Sequence, residues 1–129
     1  MTKEEFLKQT DPDYQAVIVE LMPVIEKHES GLTSDVVQVM GMDMLGYKQE
    51  GEFKYAFSIH KRHLSFHSMV MYCYPEIHKN FKEKLPGGKF QKSCINFKKG
   101  EPFPFHEFEV FIRECATYPY PSPLQLSRK

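Results

Sequence analysis

Three of the six histidines, His60, His63 and His67, lie close together in one short stretch, and Ser58 and Ser65 alternate with them. Neutral imidazole is a common metal ligand and proton carrier, so this grouping has the residue types for metal binding or proton transfer. The surrounding segment, Phe53 to Ser68, reads FKYAFSIHKRHLSFHS. Its apolar residues are odd-numbered at first (Tyr55, Phe57, Ile59) and even-numbered later (Leu64, Phe66), which requires a turn between His60 and His63. In the resulting hairpin Ile59 opposes Leu64 and Phe57 opposes Phe66, while Ser58, His60, His63, Ser65 and His67 share the other face. His63 and His67 then stand about 13 Å apart, too far to grip one ion together. His60 and His63 are directly opposed, with Cβ atoms about 5 Å apart. With Asp43 from the preceding strand, His60, His63 and His67 form a candidate site for a divalent metal such as iron(II), zinc or manganese. Read without a ligand, the same face is a solvated sheet surface rich in histidine. Asp43, His60 and Ser58 or Ser65 also supply the types of a nucleophile, base and orienter. No GxSxG elbow accompanies them and no expected helix begins beside either serine, so binding is favoured over catalysis.

The elements that must position these residues follow an α+β order. Thr2 and Glu5 form a capping box for a short helix, and Asp11-Pro12 opens a second, with Tyr14, Val17, Ile18, Leu21 and Ile25 at helical spacing. Pro23 is expected to bend or end that helix, whose limit lies near Ser30-Gly31. Val36 to Tyr47 reads as one methionine-rich strand, and Glu50-Gly51 as the turn into the hairpin. That turn places Met44 opposite Phe57, Met42 opposite Ile59 and Asp43 beside Ser58, with Met40, Met42 and Met44 as core filler. Pro75 opens a helix carrying Ile77, Phe81 and Leu85, stopped by Pro86-Gly87-Gly88. A strand follows over Ser93 to Phe97, then a helix after Pro104 with Phe105, Phe108, Phe111, Ile112 and Cys115 on one side. The expected architecture is a two-layer sandwich, an antiparallel sheet with helices on one face. Residues 1–116 form its single domain. Residues 117–129 form a proline-rich tail, lying on the surface or disordered.

Composition narrows the function classes. The 129 residues are 41% hydrophobic and carry 17 basic and 17 acidic side chains, so no overall field draws the chain to nucleic acid or anionic lipid. Locally the charge is uneven: residues 1–29 are acidic, and residues 79–99 hold seven lysines against Glu83. The lysine run lacks exposed aromatic partners and implies at most weak, salt-sensitive nucleic-acid contact. Cys73, Cys94 and Cys115 form no CxxC pair and read as packing thiols in a reducing cytoplasm. The start MTKEEFLKQTD lacks a signal-peptide pattern, and no apolar run approaches a membrane span.

KRHLSFH (61–67), the helix near 75–85 and KSCINFKKGEPFP (92–104) together resemble the YdhG-like family of small bacterial domains over about residues 36–116. The most specific pieces are His63, Ser65, His67, Phe97, Pro102 and Pro104. Gly41 and Met42 match the family's tyrosine-glycine-methionine-proline segment, whereas Met40 and Asp43 depart from it, and Gly100 stands where aspartate is common. Part of that family is described as a frataxin-like intracellular iron chaperone. The resemblance implies a frataxin-like sandwich, a cytoplasmic setting, iron as a possible ligand and a metal-accepting partner. It also makes the acidic face Asp13, Glu20 and Glu26 a second candidate iron surface. The expected function is thus a non-catalytic binding domain. Its alternatives are a metal-free protein-interaction module, docking through the sheet face or the prolyl tail, and an enzyme acting on a small molecule.

Overall fold

The computed structural model describes residues 1–123 and 126. Residues 124, 125 and 127–129 of the proline-rich terminal segment lie outside the described residues. Among the described residues five helices and six strands follow one another as α1 (Lys3–Gln9), α2 (Pro12–His28), β1 (Thr33–Val39), β2 (Met42–Gln49), β3 (Glu52–Ile59), β4 (His63–Ser68), α3 (Met69–Cys73), α4 (Pro75–Phe81), β5 (Gly88–Phe90), β6 (Cys94–Lys98) and α5 (Phe105–Cys115). All strand pairs are antiparallel, in the order β1-β2-β3-β4-β6-β5. The fold is the expected α+β sandwich, with the helices on one face of the sheet.

Local chemistry accounts for the helix ends. Thr2 accepts from the Glu5 N–H and Glu5 returns the bond, and the Asp11 side chain accepts from the Asp13 N–H with Pro12 behind it. α2 continues past Pro23 to His28 rather than ending there. Pro23 is exposed, so the Val19 carbonyl that it leaves unbonded faces the solvent side of the helix.

The core lies between sheet and helices, with Phe66 at its centre. Its ring meets Phe57 at 5.2 Å, Tyr55 at 5.5 Å and Phe108 of α5 at 4.8 Å between centroids. From α2, Tyr14, Ile18, Leu21 and Ile25 complete the same cluster.

The sheet departs from expectation in two places. Val36 to Tyr47 is two strands, β1 and β2, joined at Met40-Gly41, which both take positive φ. Met40 is therefore a fully exposed turn residue (100%) and not core filler, and Met42 is also exposed. The Glu50-Gly51 turn forms as expected, with positive φ at both residues and Gln49 opposite Glu52. Beyond it Lys48 faces Phe53 while Tyr47 faces Tyr55, which leaves Lys54 as an extra, bulged residue. The bulge shifts the register by one. Leu45, not Met44, faces Phe57, and Leu45 and Tyr47 enter the core. Met44 is buried on the opposite face. There Gly46 lets Val37 and Phe53 close in, since a Cβ at position 46 would meet them at 3.1 and 3.3 Å.

Candidate ligand-binding face

The β3–β4 hairpin has the expected register: Phe57 faces Phe66, Ser58 faces Ser65 and Ile59 faces Leu64. The turn residues Lys61 and Arg62 are bracketed by a hydrogen bond from the His60 N–H to the His63 carbonyl at 3.0 Å. Alternation then sends phenyl and aliphatic groups to the helices and presents Ser58, His60, His63, Ser65 and His67 on the uncovered face.

On that face Ser58 is the hub. Its Oγ lies 2.9 Å from His60 Nε2 and 2.8 Å from His67 Nε2, although Ser58 itself has no solvent exposure. His67 reaches it diagonally, because its direct partner on β3 is the small Ala56. A hydroxyl has one proton to give. If Ser58 donates to one ring, the other donates to Ser58, so the two neutral imidazoles carry opposite tautomers. Burial pushes both ring pKa values below the ordinary histidine value, helped by His63 beside His60 and by His60 beside His67. Near neutral pH the pair is uncharged.

His63 stacks on His60 with centroids 4.5 Å apart and planes 14° from parallel. Parallel rings set their nitrogens side by side, so the convergent pair is His60 with His67. Next to them Ser65 Oγ donates to Asn96 Oδ1 at 2.6 Å. The cluster opens on one side into a cleft of about 500 Å³, lined by Arg62, His63, Lys89, Asn96 and Lys98 among others, with Glu101 the acid on its wall.

Asp43 does not join the histidines. The bulge at Lys54 gives it the parity of Leu45 and Tyr47, and it pairs with Gln38 of β1. The acids of α2 do not gather either. Asp13 and Glu26 are thirteen residues apart, about 20 Å along a helix, and Glu26 accepts a 3.3 Å hydrogen bond from Tyr47. Among the described residues no group of three or more His, Cys, Asp or Glu side chains is arranged to hold a metal ion. The cysteines are free thiols, and burial drives the Cys115 pKa up to about 12.

Sequence reasoning missed a second polar cluster. Lys54, 2% exposed, places Nζ 2.9 Å from Glu29 Oε1, 2.7 Å from Glu29 Oε2 and 2.8 Å from Gln49 Oε1. The Tyr55 hydroxyl donates to Glu29 Oε2 at 2.6 Å, and Tyr120 from the terminal segment lays its ring 5.3 Å from the ammonium. A lysine inside the apolar run FKYAF was its one visible signal. Arg62, Lys89 and Lys98 were also missed as a group, because only the β4-β6-β5 order brings them to one cleft.

Among the described residues no helix is long and apolar enough to cross a membrane. No family model matches the sequence, and no curated protein matches it. Among solved structures, a DUF1801-family protein from Bacillus subtilis, YdhG, is similar at 18% identity and a TM-score of 0.59, covering 84% of this chain and 83% of that one. The likeness is one of fold: this chain's antiparallel sheet backed by helices on one face is YdhG-like.

Proposed function

We propose that the domain is a non-catalytic binding module whose ligand is anionic and lies on the open sheet face. One observation carries this reading: an uncharged hydrogen-bonding floor, Ser58, His60, His67, Ser65 and Asn96, adjoins a cleft walled by Arg62, Lys89 and Lys98. Arginine and lysine at such a rim suit a phosphate or carboxylate group. Binding fits better than catalysis because Ser58 is fully buried and no hydrogen bond among the described residues joins His60 or His67 to a carboxylate. Titration of the isotope-labelled chain with pyrophosphate at low salt tests it. Saturable amide shifts at His63, Asn96 and Lys98 are expected, and Arg62→Ala with Lys98→Ala should weaken binding by tenfold or more. Failure to saturate at millimolar pyrophosphate overturns it.

A second reading is iron(II) binding, as the family resemblance implies. It is favoured by the convergence of two uncharged imidazole nitrogens on one oxygen. Under it His60 and His67 hold the ion, with His63 beside them, and the domain passes it to a metal-accepting protein in the cytoplasm. Anaerobic iron(II) titration should then saturate, and His60→Ala with His67→Ala should abolish it. Loss only on neutralising Asp13, Glu20 and Glu26 would move the ion to α2. Absence of iron binding at tens of micromolar removes this reading and leaves the anion site untouched.

A further inference from the structure

A second cleft of about 500 Å³ lies between the start of α2 and the β6–α5 connection. Its walls are largely apolar: Val17 and Tyr14 from α2, Leu64 from β4, Phe97 from β6, and Phe103. Phe97 and Phe103 stand together, ring centroids 4.6 Å apart, as an aromatic wall. It shares Gly87, Lys98 and Glu101 with the cationic cleft, but its floor is separate.

Tyr14 sets this cleft apart. Its side chain is 5% exposed, and its hydroxyl is the one buried side-chain polar atom among the described residues without a hydrogen-bond partner. A hydroxyl stripped of water and left unpaired costs the folded state its full desolvation. Phenylalanine fills the same space without that cost, so the hydroxyl is of no use to the folded state. Of the charged residues lining the cleft, Asp13 and Glu101 are balanced by Lys98 and Lys99. A net charge on a ligand therefore gains little there. The Lys99 ammonium, 2.6 Å from Asp11 Oδ2, passes 6.0 Å from the Tyr14 ring centroid. Both partners of that ion pair are partly exposed, so Lys99 is a flexible side chain free to swing aside.

We infer that this cleft binds a small neutral molecule with an apolar, ring-sized body and one carbonyl-type acceptor oxygen. The body packs on Val17, Leu64, Phe97 and Phe103, Lys99 swings clear, and the Tyr14 hydroxyl donates to the carbonyl. The apolar walls supply most of the affinity and the hydroxyl supplies selectivity. This site is independent of the anion reading of the open face.

The test uses the whole isotope-labelled chain and three probes of similar size: benzamide, with a carbonyl; toluene, without one; and benzoate, with a charge. Benzamide should shift the amides of Ala16, Val17, Gly100 and Phe103 saturably and bind more tightly than either control. Tyr14→Phe should weaken benzamide about two- to tenfold, the worth of one neutral hydrogen bond, and leave toluene unchanged. Without ligand, Tyr14→Phe should melt no lower than the parent chain. The inference is overturned if benzamide does not bind in this cleft, if toluene or benzoate binds as well, or if Tyr14→Phe leaves benzamide affinity unchanged. Marked destabilisation of ligand-free Tyr14→Phe would also overturn it, because the hydroxyl would then serve the fold.

Discussion

Strand β3 carries two polar clusters four residues apart, and they are built on opposite plans. At Lys54 the ammonium is surrounded by Glu29 and Gln49 oxygens, Glu29 is also bonded by Tyr55, and aromatic rings close the sides. At Ser58 the hydroxyl is saturated by two imidazoles, but among the described residues no hydrogen bond reaches the Nδ1 atom of either ring. The first cluster is charged, buried and complete. The second is uncharged and half-buried, and it has bonding capacity left over. A complete cluster can only hold the fold together, here by tying the end of α2 to the sheet and the terminal segment, whereas an incomplete one can take a ligand.

The comparison predicts unequal costs for cutting each cluster. Glu29→Ala leaves a buried ammonium without its counter-ion and should lower unfolding free energy by about 3–5 kcal/mol in denaturant titration. Replacing the whole cluster, Glu29→Leu with Lys54→Met and Tyr55→Phe, removes charge and partners together and should recover most of that loss. A triple variant as unstable as Glu29→Ala would mean that the cluster's geometry, and not its unpaired charge, carries the stability. Ser58→Ala should cost only about 1 kcal/mol, since both imidazoles reach water once the hydroxyl is gone. A loss equal to that of Glu29→Ala would erase the distinction between the clusters.

How far the sequence foretold these clusters depends on where the chain breaks its own alternation. The Ser58 cluster was legible because Phe57, Ile59, Leu64 and Phe66 reverse parity across a two-residue turn, which fixes partners and faces together. The Lys54 cluster was not, because a β-bulge leaves no mark in composition. The same bulge turns Leu45 inward in place of Met44 and takes Asp43 away from the histidines. The β1–β2 turn was hidden for another reason. Methionine at positive φ is costly and is no usual turn signal, so Val36–Tyr47 looked continuous. The starts of α1, α2 and α4 and the apolar faces of α2 and α5 were read more surely, since caps and apolar spacing are local, whereas α3 was not foreseen and α4 ends at Phe81, before Leu85. Pro86-Gly87-Gly88, read as a helix stop, lies beyond the end of α4 at Phe81, and Gly88–Phe90 forms edge strand β5 by pairing with β6.

The smallest predicted effect, a pH slope, also discriminates between the two functional readings. His60 and His67 have pKa values lowered by burial, so the unfolded chain, with imidazoles near 6.5, takes up protons first as pH falls. Their neutral forms therefore contribute stability that is fully present above about pH 6.5 and lost as pH drops through the lowered folded values. Denaturant titrations between pH 7.5 and 5 should show the parent chain losing more stability than His60→Gln with His67→Gln; the other four histidines are common to both. Equal slopes would mean that the imidazoles are not held neutral by the fold. Pyrophosphate then sharpens the result. An anion seated over the rings raises their pKa and flattens the parent slope, whereas an anion held only at Arg62 and Lys98 leaves it unchanged. Iron(II) acts in the opposite sense, because protons compete with it for the same nitrogens and its stabilisation must fade as pH falls.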